Sequence, residues 1–183
     1  MNDPASDREP GRAALRRLCL VACLVTGPAG ASGSGDFETG VGMARRDSLE
    51  LAAEAGDAWA QLNLGAAFDH GLAGFASDPS RAVYWYRRAA DAGLAEAQFN
   101  LAHCLATGSG TPRDDVEAFG WMLRAAQQGL AEAQFLVGMM FSDGIGTTAD
   151  PVQARRWLVR AATGGNGDAA AALARMPAKV PGD

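Results

Sequence analysis

The apolar positions of this chain fall at helical spacing, and they do so three times over. Ala97, Leu101, Ala102 and Leu105 stand at i, i+4, i+5 and i+8, the stripe of an amphipathic helix that ends near Gly108. The same columns hold Ala60, Leu64, Gly65 and Phe68 before it, and Ala133, Val137, Gly138 and Phe141 after it. The small residue at 65, 102 and 138 allows a partner helix to approach closely. A second stripe follows each first one. Ala82, Trp85, Tyr86, Ala89, Ala90 and Gly93 run i, i+3, i+4, i+7, i+8 and i+11, and Ala154, Trp157, Leu158, Ala161, Ala162 and Gly165 repeat the run. Asp78-Pro79 and Asp150-Pro151 mark where two of these second helices begin. An aspartate at the N-cap accepts from the first free N–H groups, and a proline at N1 has no N–H to leave unsatisfied. Asp114 caps the middle one. The pattern predicts antiparallel helix pairs with the tryptophans turned into the core.

The pairs are copies of one another. Leu94 to Phe99 (LAEAQF) recurs unchanged as Leu130 to Phe135, 36 residues later. Trp85, Trp121 and Trp157 keep the same spacing, as do Ala82, Ala118 and Ala154, and Gly93, Gly129 and Gly165. Units are therefore set at 57–93, 94–129 and 130–165, the first with one extra residue in the loop Gly71 to Ser77. Both ends are degenerate, as a stacked array requires, since a terminal unit must present one polar face to water. Residues 45–56 read as a half-repeat helix, with Ala52, Ala53 and Gly56 in register, and 166–176 as a capping helix. The expected fold is all-α: a solenoid of about 3.5 helix-turn-helix repeats of roughly 36 residues.

Composition agrees with a helical array and narrows the partners. Arginine outnumbers lysine fifteen to one and the net charge is −5. Without residues 1–31 the balance is about −6, a surface that repels nucleic-acid phosphates and anionic lipid, so no nucleic-acid partner is expected. Those first residues read as a signal peptide. Arg12, Arg16 and Arg17 precede the apolar run Leu18 to Val25 and the small-residue site Ala29, Gly30, Ala31, so export to the periplasm or beyond is expected. Eight apolar residues are too few to span a membrane. Two alternatives stand beside it: lipidation at Cys23 after Leu20, Val21, Ala22, and a start at Met43 that would give a cytoplasmic protein. Residues 32–44 read as a flexible leader and 177–183 as a disordered tail. Cleavage would leave Cys104 as the single cysteine, a small packing residue without a disulfide partner. A monomer is expected.

The unit Ala95-x-Ala97-x-x-x-Leu101, followed by Gly108-x-Gly110-x-x-x-Asp114-x-x-x-Ala118-x-x-Trp121-x-x-x-Ala125-Ala126-x-x-Gly129, resembles the Sel-one-like repeat (SLR), a relative of the tetratricopeptide repeat. The resemblance covers about residues 45 to 176. Departures are few. Ala102 replaces the usual glycine, Phe68, Leu105 and Phe141 stand where tyrosine is typical, and Thr111 and Thr147 replace a valine. The resemblance implies a right-handed superhelix whose concave face holds a peptide or partner domain. Some cysteine-rich relatives pair a disulfide in every unit and are linked to penicillin-like compounds; this chain lacks those cysteines.

Candidate chemistry is sparse. His70 and His103 are the two histidines, and no H-E-x-x-H, C-x-x-C pair, G-x-S-x-G or phosphate-binding glycine loop accompanies them. No enzyme activity, cofactor or metal is expected. Asp78, Asp114 and Asp150 are helix caps, and Glu96 and Glu132 complement the positive end of a helix. Arg88, Arg124 and Arg160 share one column near a helix C-terminus, where a cation complements the dipole. If the tetratricopeptide geometry transfers, the groove positions are Trp59, Leu62 and Ala66; Glu96, Phe99 and His103; and Glu132, Phe135 and Met139. They would form an acidic rim around an aromatic, methionine-containing floor for an apolar anchor with basic flanks. Phe99 and Phe135 have a second reading, as packing between units. The function expected is that of an interaction scaffold; the alternative is a small-molecule binder or hydrolase acting on cell-wall-like or penicillin-like compounds.

Overall fold

The computed structural model describes residues 39–176, and the signal-peptide, lipidation and tail readings fall outside these residues. The described residues form eight helices and no strand. They are α1 (Thr39–Glu54), α2 (Ala58–His70), α3 (Pro79–Asp91), α4 (Ala95–Thr107), α5 (Asp115–Gln127), α6 (Ala131–Asp143), α7 (Pro151–Thr163) and α8 (Gly167–Arg175). Each helix packs on the next in sequence, most extensively within the pairs α2–α3, α4–α5 and α6–α7. This is the nearest-neighbour stacking of a solenoid. α1 begins at Thr39, inside the stretch 32–44 expected to be a flexible leader. Once the docked turns of a helix exist, each further residue adds a hydrogen bond at little cost, so the helix runs past the boundary that packing alone would set.

Two kinds of turn alternate along the chain. From a second helix to the next first helix, the chain reverses through a glycine in the left-handed region. Gly93 N–H donates to Ala90 O and Leu94 N–H to Ala89 O, and the pairs recur at Gly129/Leu130 and Gly165/Asn166. This is a Schellman motif, and it satisfies the carbonyls that the helix end leaves open. From first helix to second, a longer loop ends on the capping aspartate. The N–H groups of Asp78, Asp114 and Asp150 donate back to Phe68, Leu105 and Phe141 carbonyls, while each carboxylate accepts from two N–H groups of its own helix. The caps are where the sequence placed them.

Within each pair the tryptophan and the residue after it are buried, together with the alanine pair one turn on, of which Ala162 is only partly buried. Gly65 and Gly138 lie where a Cβ would collide with the Tyr86 ring and with Leu158. The middle copy of this column carries Ala102, and the register position facing it is Met122, a flexible side chain that can accommodate the extra methyl. Glutamines join the units, two of them (Gln61 and Gln98) buried and Gln134 partly so. Gln61, Gln98 and Gln134 Nε2 donate to the carbonyls of Ala53, Ala90 and Ala126, at 3.0, 3.3 and 3.1 Å, each on the helix before. A buried amide needs such partners, so these bonds fix the approach of one unit to the next.

Neighbouring second helices are also tied on their outer side. Arg87 Nη1 donates to Glu117 Oε1 at 2.6 Å, linking α3 to α5, and Trp121 Nε1 donates to the same oxygen at 3.1 Å. The Arg87 hydrogen bond chiefly holds the Glu117 carboxyl below the ordinary glutamate range; partial burial opposes this, and the Trp121 bond and the Arg87 charge add to it. A carboxyl with a depressed folded pKa stabilises the fold above its unfolded pKa, and that contribution is lost as pH falls through the folded value. Melting temperature should therefore fall in the acid range below pH 4 by more in the wild type than in Glu117→Gln, which differential scanning fluorimetry across pH 7 to 3 will read. The pair is half exposed, so the difference should be small and should shrink in salt.

Candidate functional site

The groove positions read from the sequence divide into two groups in the structure. Leu62, Phe99 and Phe135 are 7, 5 and 6 % exposed and belong to the hydrophobic core, as does the half-turn neighbour Leu136. Ala66 is buried as well. They present no open aromatic floor, because this column of the first helices is covered by packing inside the array. The open positions are Trp59, 47 % exposed, and Glu96, with Glu132, His103 and Met139 partly exposed. Asn63 and Asn100, one turn on from Trp59 and Glu96, share that surface, and the Asn63 Oδ1 atom is buried with no hydrogen-bond partner among the described residues. The asparagines went unnoticed in the sequence because the repeat breaks at this column: its third member is Leu136.

Charge is sorted by helix layer. The first helices α2, α4 and α6 carry Asp69, Glu96, Glu132 and Asp143 and no lysine or arginine. Glu96 and Glu132 make no hydrogen bond or ion pair with a described residue and stand in the first turn of their helices, where a negative charge complements the dipole. The second helices α3, α5 and α7 carry seven arginines against three acids. Four of these seven cations stand over aromatic rings. Arg88, Arg124 and Arg160 stand 5.1, 4.4 and 4.7 Å from the ring centroids of Trp85, Trp121 and Trp157, and Arg81 stands 3.8 Å from that of Phe68. The sequence held the signal for the first three: an arginine three residues after each tryptophan lies one helical turn along, over the indole face.

Of the remaining candidates, His70 lies at the end of α2, 3.7 Å from Asp69, and Cys104 is a buried thiol within α4. Among the described residues no three His, Cys, Asp or Glu side chains come together as a metal site, and no helix is long and apolar enough to cross a membrane.

Three registered helix pairs with glycine-hinged turns, capped second helices and glutamine clips define a protein of the α/α repeat class. Within that class, the profile of the Sel1 repeat matches residues 60–94, 95–130 and 131–166. The chain belongs to the Sel1 repeat family. Among solved structures it is similar to a Sel1 repeat protein from Oxalobacter formigenes, with 34% identity and a TM-score of 0.67 over 72% of this chain and 98% of that one. It is also similar to a protective antigen present in uropathogenic Escherichia coli strains that displays an SLR fold, with 30% identity and a TM-score of 0.69 over 90% of this chain and 33% of that one. Cysteine rich protein B of Helicobacter pylori, 16% identical with a TM-score of 0.57 over 77% of this chain and 100% of that one, shares the fold. Chitin synthase regulatory factor 3 of Schizosaccharomyces pombe is 43% identical over 54 residues, 30% of this chain. The chain spans only 6% of that curated relative's length. Sel1 repeat proteins are typically non-enzymatic scaffolds, and their repeats generally mediate protein–protein interaction.

Proposed function

We propose that this protein is a non-enzymatic scaffold that holds a partner protein on the face of its first helices. The observation that carries the reading is the residue set left open there: Trp59, Asn63, Glu96, His103, Glu132 and Met139, with carboxylates that have no partner within the described chain. An exposed indole and a partly exposed thioether supply apolar contact, and the carboxylates select a partner segment with basic flanks. Burial of Phe99 and Phe135 makes them unsuitable probes, since truncation there removes core packing.

The test is site-specific photo-crosslinking in the producing cell. Crosslinkers at Trp59, Glu96 and Met139 should capture one common protein, and a crosslinker at Tyr84 on the second-helix layer should not. Trp59→Ala combined with Glu96→Gln and Glu132→Gln should abolish capture from Met139 while helicity stays at the wild-type level. Equal capture from Tyr84, or capture that survives the triple change, would sink the assignment. Export is part of the same proposal, supported by Arg12, Arg16 and Arg17, the run Leu18 to Val25, and Ala29 to Ala31. This protein should then be found in the envelope or medium with its N-terminus at Ser32; an intact cytosolic chain would count against export alone.

A further inference from the structure

The second-helix layer carries a surface of its own. We infer that the arginine column Arg88, Arg124, Arg160 is a docking ladder for an extended acidic segment of a protein, distinct from whatever the first helices hold. The guanidinium groups are pre-positioned. Each stands over a tryptophan of its own helix, a contact that restrains the side chain while its N–H groups keep their hydrogen-bonding capacity. Arg124 and Arg160 donate to no described residue, and Arg88 donates to the Tyr84 hydroxyl at a long 3.4 Å. The helix-end carbonyls are closed by backbone N–H groups in the Schellman turns, so these cations are not needed there as caps.

Local charge complements an anion. Of the three acids on these helices, Glu117 is paired with Arg87 and Asp115 with Arg113, which leaves Asp91 beside the other six arginines. The overall net charge of −5 argues against a long polyanion such as a nucleic acid, so an acidic ligand must be short enough to meet only this face.

Geometry specifies the spacing of that stretch. α3 and α5 both pack on α4, and the direct Arg87–Glu117 bond brings their outer faces together, which sets the rungs on the order of 10 Å apart. An extended peptide advances about 3.3 Å per residue, so every third side chain returns to the ladder. The ladder also has an apolar end: in the register of Ala52, Ala53 and Gly56, the position before Ala52 is Leu51, which lies 70 % exposed on α1. The partner segment is therefore an extended run with Asp or Glu at every third position and an apolar residue one step beyond.

Fluorescence anisotropy on the full chain tests this with a labelled peptide carrying Leu, Glu, Glu and Glu at three-residue steps in a Gly/Ser/Thr background, made in both chain directions. A composition-matched peptide with the three glutamates adjacent is the control. In one direction the periodic peptide should bind about tenfold more tightly than the control, and added salt should weaken it. The triple change Arg88→Gln, Arg124→Gln, Arg160→Gln should cost about 30-fold, roughly threefold per exposed pair. Arg→Lys at the same three sites keeps the charge and should retain only part of the affinity, which guards against loss by misfolding. Glu96→Gln with Glu132→Gln should leave binding unchanged, so failure of the first-helix reading does not touch this one. Equal binding of the control peptide, equal binding of heparin, full binding by the glutamine variant or no binding by the wild type would each overturn the ladder.

Discussion

Gly146→Ala is expected to cost about 3–5 kcal/mol of folding stability, against about 1–2 for Gly129→Ala, although both glycines have positive φ. The difference lies in what stands beside them. At Gly129 a Cβ would meet nothing within 4 Å, so only the left-handed backbone (φ +99°) is penalised. At Gly146 (φ +67°) the same atom would fall on the carbonyl of Asp115, at the start of the second helix one unit earlier, and 3.0 Å from the Phe119 Cβ. Backbone cannot swing aside as a side chain can, so the loop must lift off its neighbour. Gly110 stands in the same relation to Pro79 and Ser80. Urea unfolding followed by circular dichroism on the two variants will measure the contrast; equal losses would mean that the loop does not seal the unit junction.

Trp121→Ala should be nearly as damaging, by about 3–5 kcal/mol, and should change the shape of unfolding as well as its midpoint. The indole is buried in the middle unit, its Nε1 bonds Glu117, and Arg124 lies on its face, so truncation removes core packing and two outer-layer contacts together. In a solenoid each unit is held only by its neighbours. Weakening the central one should let the flanking units unfold separately, giving a lower apparent m-value or two transitions in urea. Trp121→Phe, which keeps most of the apolar area, should lose stability with a single transition retained. A single, unbroadened transition in Trp121→Ala would show that the array is coupled beyond nearest neighbours.

The repeat was legible because its signals are local. A 36-residue register, an aspartate before a proline and a glycine after an alanine pair each carry their own backbone chemistry, and the structure reproduces them unit by unit. Interactions that depend on a second helix were harder to see. Gln98 and Gln134 lie inside the recurring LAEAQF, yet a glutamine gives no hint in sequence that its amide is buried against a carbonyl eight residues back. The candidate face suffered in the same way. Periodicity separates the core stripe from the rest of a helix, but the residues between stripe and solvent are sorted by the neighbouring unit. That neighbour buries Leu62, Phe99 and Phe135 and leaves Trp59 and Glu96 open. The arginine column was visible as a column; its seat on the indoles required the side-chain packing.

The glutamine clips all point the same way along the chain. Gln61, Gln98 and Gln134 each reach back to a carbonyl made eight residues earlier, and Gly110 and Gly146 likewise press on the unit before their own. On a ribosome, where the N-terminal part emerges first, every such bond finds its acceptor already synthesised and already helical. Assembly has a built-in direction: a growing chain can close each cassette onto the last without waiting for its own C-terminus. The same polarity makes the array extensible in evolution, since a duplicated 36-residue cassette brings its own donor and, in its second helix, leaves the next acceptor exposed for whatever follows.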